Sequence, residues 1–180
     1  MLNQKRVVID FVSPQLNCGE FYIKRVVDEP ITVNAHVLCD GHDIIQASVL
    51  YKHEKEKKWS EIRMEHVNND EWQATFYVKK QGFYTYKIEG WIDHALNWQH
   101  GTVRKIDDKQ HVKSELLEGI TYLKPILKKT TNSEKDFLMA CINAFSDETQ
   151  YEDAIHKVKS DHLHNILTAN PDKFLANTSK

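Results

Sequence analysis

Aromatic rings are the side chains of this sequence with the most to offer a ligand. Four tryptophans and seven tyrosines are spread along it, and a flat ring can either stack on a sugar or bury a large apolar area in a core. Position within the strand pattern sorts them. Trp72 shares its register with Ala74 and Phe76, which assigns it to the interior. Trp91 falls in the opposite register to Tyr86 and Ile88, Trp98 reads as part of the next strand near a turn, and Trp59 follows a charged hairpin. Trp59, Trp91 and Trp98 are therefore the surface candidates, for carbohydrate contact or, the stronger reading, for packing on a neighbouring domain.

Ten histidines raise metal or acid–base chemistry. His156, His162 and His164 are spaced i, i+6, i+8, which does not stack them on one helical face as i, i+4 does. They read as a solvated helix surface. His42 lies in Asp40-Gly41-His42-Asp43, where the two aspartates can bond amides of a tight turn and Gly41 can take positive φ. A glycosidase needs two acids about 5–9 Å apart across a cleft, whereas Asp10, Glu89 and Asp93 are scattered over strands whose faces offer none. GxSxG, GxxxxGK[ST] and HExxH are absent. No catalytic residue, metal ligand or cofactor site is assigned. Cys18, Cys39 and Cys141 form an odd set without CxxC spacing and read as free thiols, the last two as small buried hydrophobes.

Composition narrows the class further. The 180 residues are 41% hydrophobic, enough for a real core in one or two domains. Twenty-four basic and twenty-six acidic side chains leave a formal charge of −2, which lacks the basic field of a nucleic-acid binder. No apolar run approaches the ~20 residues of a membrane span, and the first residues show no signal-peptide pattern. A cytoplasmic location is the expectation.

Period-two patterning runs from residue 4 to about 106. Ile31, Val33, Ala35, Val37 and Cys39 alternate with polar neighbours; so do Trp72, Ala74, Phe76 and Val78, and Tyr84, Tyr86 and Ile88. Seven or so short strands with turns at Ser13-Pro14, Asp40-Gly41, Asn68-Asn69-Asp70 and Gln81-Gly82 predict an immunoglobulin-like β-sandwich over residues 1–108. Helical spacing then takes over. Val112, Leu116, Ile120, Leu123 and Leu127 mark one helix that Pro125 should kink or end early. Ser133 starts a second, and Thr149 with Glu152 has the form of a capping box for a third. A short helix near 161–169 ends at Asn170-Pro171. The fold class is thus mainly β with an α-helical unit of three to four helices over 109–169. Residues 170–180 read as a connection toward a missing strand, whose absence would leave a sheet edge exposed and favour self-association.

The punctuation between Arg6 and Asp43 is more particular than a generic β domain requires. Val12-Ser13-Pro14 is followed by Cys18-Gly19-Glu20-Phe21, Ile23-Lys24-Arg25, Glu29-Pro30 and Asp40-Gly41-His42-Asp43. Downstream come Trp59, Met64, Asn69-Asp70-Glu71-Trp72, Gly82-Phe83-Tyr84, Ile88-Glu89-Gly90-Trp91-Ile92-Asp93, Trp98 and Glu115-Leu116-Leu117-Glu118-Gly119. This order resembles the N-terminal region of the α-1,4-glucan:maltose-1-phosphate maltosyltransferases of the α-amylase superfamily, densely over two thirds of the chain and in architecture over the rest.

The resemblance implies a division of labour. Full-length members transfer a maltosyl unit from α-maltose 1-phosphate to the non-reducing end of an α-1,4-glucan, with carboxylates held in a (β/α)8 barrel. Such a barrel takes roughly 250 residues, so this chain alone is expected not to be an enzyme. Its implied partners are a catalytic barrel domain of the same polypeptide and a second copy in a homodimer, with the acceptor cleft framed nearby. α-1,4-Glucan itself is a possible ligand, through Trp59, Trp91 or Trp98. The alternatives are a stand-alone carbohydrate-binding module and a purely structural dimerisation unit. Neither nucleic acid nor a membrane is implied.

Overall fold

A computed structural model describes residues 5–130 and 132–179, which divide into two compact units. The first spans residues up to Ile92 and resumes at Lys173. Its strands are β1 (Val8–Ser13), β2 (Pro30–Leu38), β3 (Ile45–His53), β4 (Ser60–Arg63), β5 (Glu65–Asn68), β6 (Glu71–Tyr77), β7 (Tyr84–Ile92) and β8 (Asn177–Thr178). They form two four-stranded sheets of order β1-β2-β6-β5 and β4-β3-β7-β8. Every pairing within them is antiparallel.

Alternation dictates the core. Ile31, Val33, Ala35 and Val37 of β2 and Trp72, Ala74 and Phe76 of β6 point inward. They join Ala47 and Val49 of β3 and Ile88 of β7 in a single apolar cluster. Trp72 is therefore the core anchor its register predicts.

The second unit spans Asp93–Asp172 and begins earlier than the sequence pattern indicates. Residues 94–108, expected to continue the sandwich with Trp98 on a strand, form helix α1 (His94–Asp107). The cause is local: Asp93 is extended, and its side chain accepts the Leu96 amide at 3.0 Å as an N-cap. Arg104 and Lys105 lie in the last turn, where positive charge complements the helix dipole.

Helix α2 (Lys113–Leu127) carries Pro125 in its final turn without ending early. Helices α3 (Asn132–Ser146), α4 (Tyr151–Val158) and α5 (Asp161–Ala169) follow. The expected capping box at Thr149 is replaced by a neighbour. Asp147 accepts the Thr149 amide at 2.9 Å and starts a 3-10 turn, Glu148–Gln150, that leads into α4. Hydrogen bonds from the Thr149 hydroxyl and amide and from the Gln150 side chain hold the Asp147 carboxyl below its ordinary range.

The tail returns to the first unit instead of leading toward an absent strand. Gly90 and Glu89 of β7 pair with Asn177 and Thr178 of β8. Ser179 gives its amide to the Ile88 carbonyl at 2.9 Å, and its hydroxyl accepts the Ile88 amide at 3.0 Å. This stretch of the β7 edge is thereby covered.

Trp98 organises the helical unit. It is 6% exposed, and its indole N–H donates to the Glu115 carbonyl at 2.6 Å. A Cβ on Gly119 would lie 2.0 Å from the Trp98 ring, so α2 uses glycine where the indole crosses it. Although alanine is the better helix former by about 1 kcal/mol, Gly119→Ala should lower stability by roughly 1–3 kcal/mol through overpacking. Thermal denaturation with tryptophan fluorescence checks this. A Tm equal to or above wild type would contradict it.

Candidate functional site

Registers on the outer face of the second sheet bring charge and aromatics together. Across β4, β3 and β7, Arg63, Ser48 and Glu89 stand in one row, and Glu61, Leu50 and Lys87 in the next. Trp91 lies opposite Gln46 on the same face. Lys173 reaches this face from the returning tail, with its ammonium 2.6 Å from Glu61 and 2.8 Å from Glu89. Ser48 donates to Glu61 at 2.7 Å.

The same ammonium lies 4.3 Å from the centre of the Trp91 ring, and the Arg63 guanidinium lies 4.5 Å from it. Both distances suit cation–π attraction. Trp91 is 1% exposed, although its register does face away from the core. Its indole N–H is buried without a hydrogen-bond partner among the described residues.

The three tryptophans singled out by sequence do not form one site. Trp91 is covered, and Trp98 is buried in the helical unit, so neither offers the open ring expected of a surface candidate. Trp59 is 36% exposed. The Lys52 and Lys87 ammonium groups lie 4.7 and 5.0 Å from its ring centre, so a ligand stacking there would compete with two cations.

Several of the remaining sequence candidates serve as local struts. Arg6 donates to the Asp40 side chain at 2.8 Å and to its carbonyl at 2.7 Å, and pairs with Asp43 at 2.8 Å. That clamps the Asp40–Asp43 turn, in which Gly41 takes φ of 89°. Both aspartates thus hold the Arg6 guanidinium. His164 bonds Gln99, and His162 meets Phe137 edge-on. Among the described residues no three His, Cys, Asp or Glu side chains gather as a metal site, and none of the helices is long and apolar enough to cross a membrane. The cysteines are free, and burial pushes the Cys141 thiol up to about 12.

One residue was hidden from sequence reasoning. By alternation with Val7 and Ile9, Phe11 belongs inside, yet it is 71% exposed. The pairing of β1 with β2 slips between Asp10 and Ser13, and nothing in the local residue types announces that slip.

Two antiparallel sheets with a helical unit between β7 and β8 define a module of two units, one of strands and one of helices. The comparisons make this particular. A family model described as "Alpha-1,4-glucan:maltose-1-phosphate maltosyltransferase, domain N/S" matches residues 5–180, and the chain belongs to that family as an N-terminal region. It is similar to maltosyltransferases of that name from three organisms. Identity is 34% over 174 residues with Methylacidiphilum infernorum (96% of this chain, 26% of the relative). It is 41% over 118 residues with Chlorobaculum tepidum (66% and 18%), and 33% over 145 residues with Salinibacter ruber (79% and 22%). The chain thus spans about a quarter or less of the length of these relatives.

The Lys173 cluster predicts a pH signature. Burial acts to raise the Glu61 carboxyl, but hydrogen bonds from Lys173 and Ser48 and the charges of Lys173 and Arg63 outweigh it, leaving Glu61 below its ordinary value. A depressed folded-state pKa gives stability that is complete above the unfolded value of about 4.3 and is lost as pH falls through the lower folded one. Glu61→Gln should therefore lower Tm at neutral pH, with the gap to wild type closing below about pH 4. Parallel Tm curves down to about pH 3 would exclude this linkage.

Proposed function

We propose that this chain serves as the non-catalytic front of a cytoplasmic maltosyltransferase-like polypeptide of α-glucan synthesis. In this reading the whole polypeptide moves maltosyl units from α-maltose 1-phosphate onto α-1,4-glucan, and the catalytic carboxylates lie in a barrel domain outside residues 5–180. The observation that carries it is the match of nearly the whole chain to the N/S region of enzymes several times longer. The tight engagement of Glu61 and Glu89 by Lys173 supports the same view. Carboxylates neutralised by a shared ammonium are poorly placed for nucleophilic or acid–base work.

The two sheets are read as a sandwich of immunoglobulin type carrying a helical insertion. Its roles are assembly of a homodimer and framing of the acceptor cleft. Trp91 and Trp98 contribute through packing. Trp59, with Lys52 and Lys87 around it, suits contact with a neighbouring domain surface better than an open sugar platform.

Reading the gene past codon 180 tests this assignment directly. A continuing frame that encodes a (β/α)8 barrel with its acidic pair is expected, and a stop codon at that point would defeat the reading. Sedimentation of the isolated chain over a wide concentration range tests the assembly role. A dimer is expected, and a monomer throughout would remove dimerisation from this region.

A further inference from the structure

The outer face of the first sheet carries a cavity of about 290 Å³, with Phe11, Asn34, His36, Glu71, Trp72 and Gln73 among its lining residues. That volume sits near the lower end of the ~300–1,000 Å³ typical of small-molecule sites. It suits one or two sugar-sized rings.

Phe11 is the feature that calls for explanation. Bulges re-aim side chains, and the slip between Asp10 and Ser13 turns Phe11 outward, while Ile9 and Val12 pack against the core. The residue has φ of 48°, an uncommon conformation that is a genuine outlier for a bulky side chain. Its amide is held by the Asp10 carboxylate at 2.8 Å. Strain of this kind persists where surrounding structure enforces it, and it concentrates at ligand sites. Here its product is an apolar ring exposed to water, 4.9 Å from the His36 ring.

Beside the ring the face is polar. Asn34 and Gln73 bond each other across β2 and β6 at 2.8 Å, and the next row repeats this with Thr32 and Thr75 at 3.0 Å. His36 and Glu71 stand 3.9 Å apart. An apolar ring next to amides and hydroxyls that both donate and accept matches a neutral polyol, which presents C–H faces and hydroxyl edges together. An anionic ligand would want unpaired cations, and the cavity lining includes the Glu71 carboxylate and neither lysine nor arginine.

We propose that this face is a secondary binding site for a neutral glucan chain, with a sugar ring stacked on Phe11 and its hydroxyls bonded to Asn34, Gln73 and Glu71. The choice of α-1,4-glucan rests on the functional reading above. The site would hold polymer and perform no chemistry on it.

The test uses the chain itself. Affinity electrophoresis in soluble starch, with maltoheptaose titrated in solution, should retard wild type. Phe11→Gly, which accepts positive φ without a steric clash, should keep its circular dichroism and Tm and lose at least tenfold in affinity. Asn34→Ala provides a second variant at the same cavity and should also weaken binding. Trp59→Ala should bind as wild type does. Absence of retardation in wild type, full retention in both Phe11→Gly and Asn34→Ala, or loss only in Trp59→Ala would each overturn the site. Equal retardation by a β-1,4-glucan gel would overturn the α-glucan assignment. None of these outcomes touches the family reading, which the gene beyond codon 180 decides.

Discussion

The chain leaves the second sheet at Ile92, builds a helical unit, and must come back to the same sheet; that return is the constraint on which the rest depends. Lys173 is the first residue home, and its ammonium is held by Glu61 on β4 and Glu89 on β7. Asn177 and Thr178 then pair with β7, and the Asn177 amide donates to the Val7 carbonyl at 3.0 Å beside β1. A partly buried ion pair contributes little net stability because both charges lose water, yet removing one partner strands the other. Lys173 is therefore best understood as fixing where the tail lies. The depressed Glu61 carboxyl and the covered edge of β7 go with that placement.

Much of this architecture was legible because it depends on neighbours in sequence. The alternation through Ile31 to Val37 and through Trp72 to Phe76 gave both the strands and their inner faces, and α5 ended at Asn170-Pro171 as its breakers imply. What stayed hidden was decided at long range or by one local exception. Register correctly turned Trp91 away from the core, but register says only which face a side chain occupies and nothing of what covers it. Lys173 lies 84 positions from Glu89. Trp98 was misplaced because a single cap at Asp93 starts a helix where the strand pattern was still being extended. The exchange of Thr149 for Asp147 as a cap is a two-residue shift of the same kind.

The candidate sites were less legible than the fold, and for a physical reason. Aromatic residues that look alike in sequence have been put to different uses. Trp72 fills a core, Trp98 crosses a glycine on α2, Trp91 lies against two cations, and Phe11 is turned into water by a bulge. Family membership came from the punctuation between Arg6 and Asp43, much of it turns and clamps such as Arg6 with Asp40 and Asp43. Such residues set the path of the chain.

The most direct measurement of the central claim is release of inorganic phosphate when the purified chain is given α-maltose 1-phosphate and a maltooligosaccharide acceptor. The account predicts no release above the enzyme-free rate, because the catalytic carboxylates are proposed to lie in a domain outside residues 5–180. Phosphate release with chain-length extension of the acceptor, abolished by Glu61→Gln or Glu89→Gln, would contradict it.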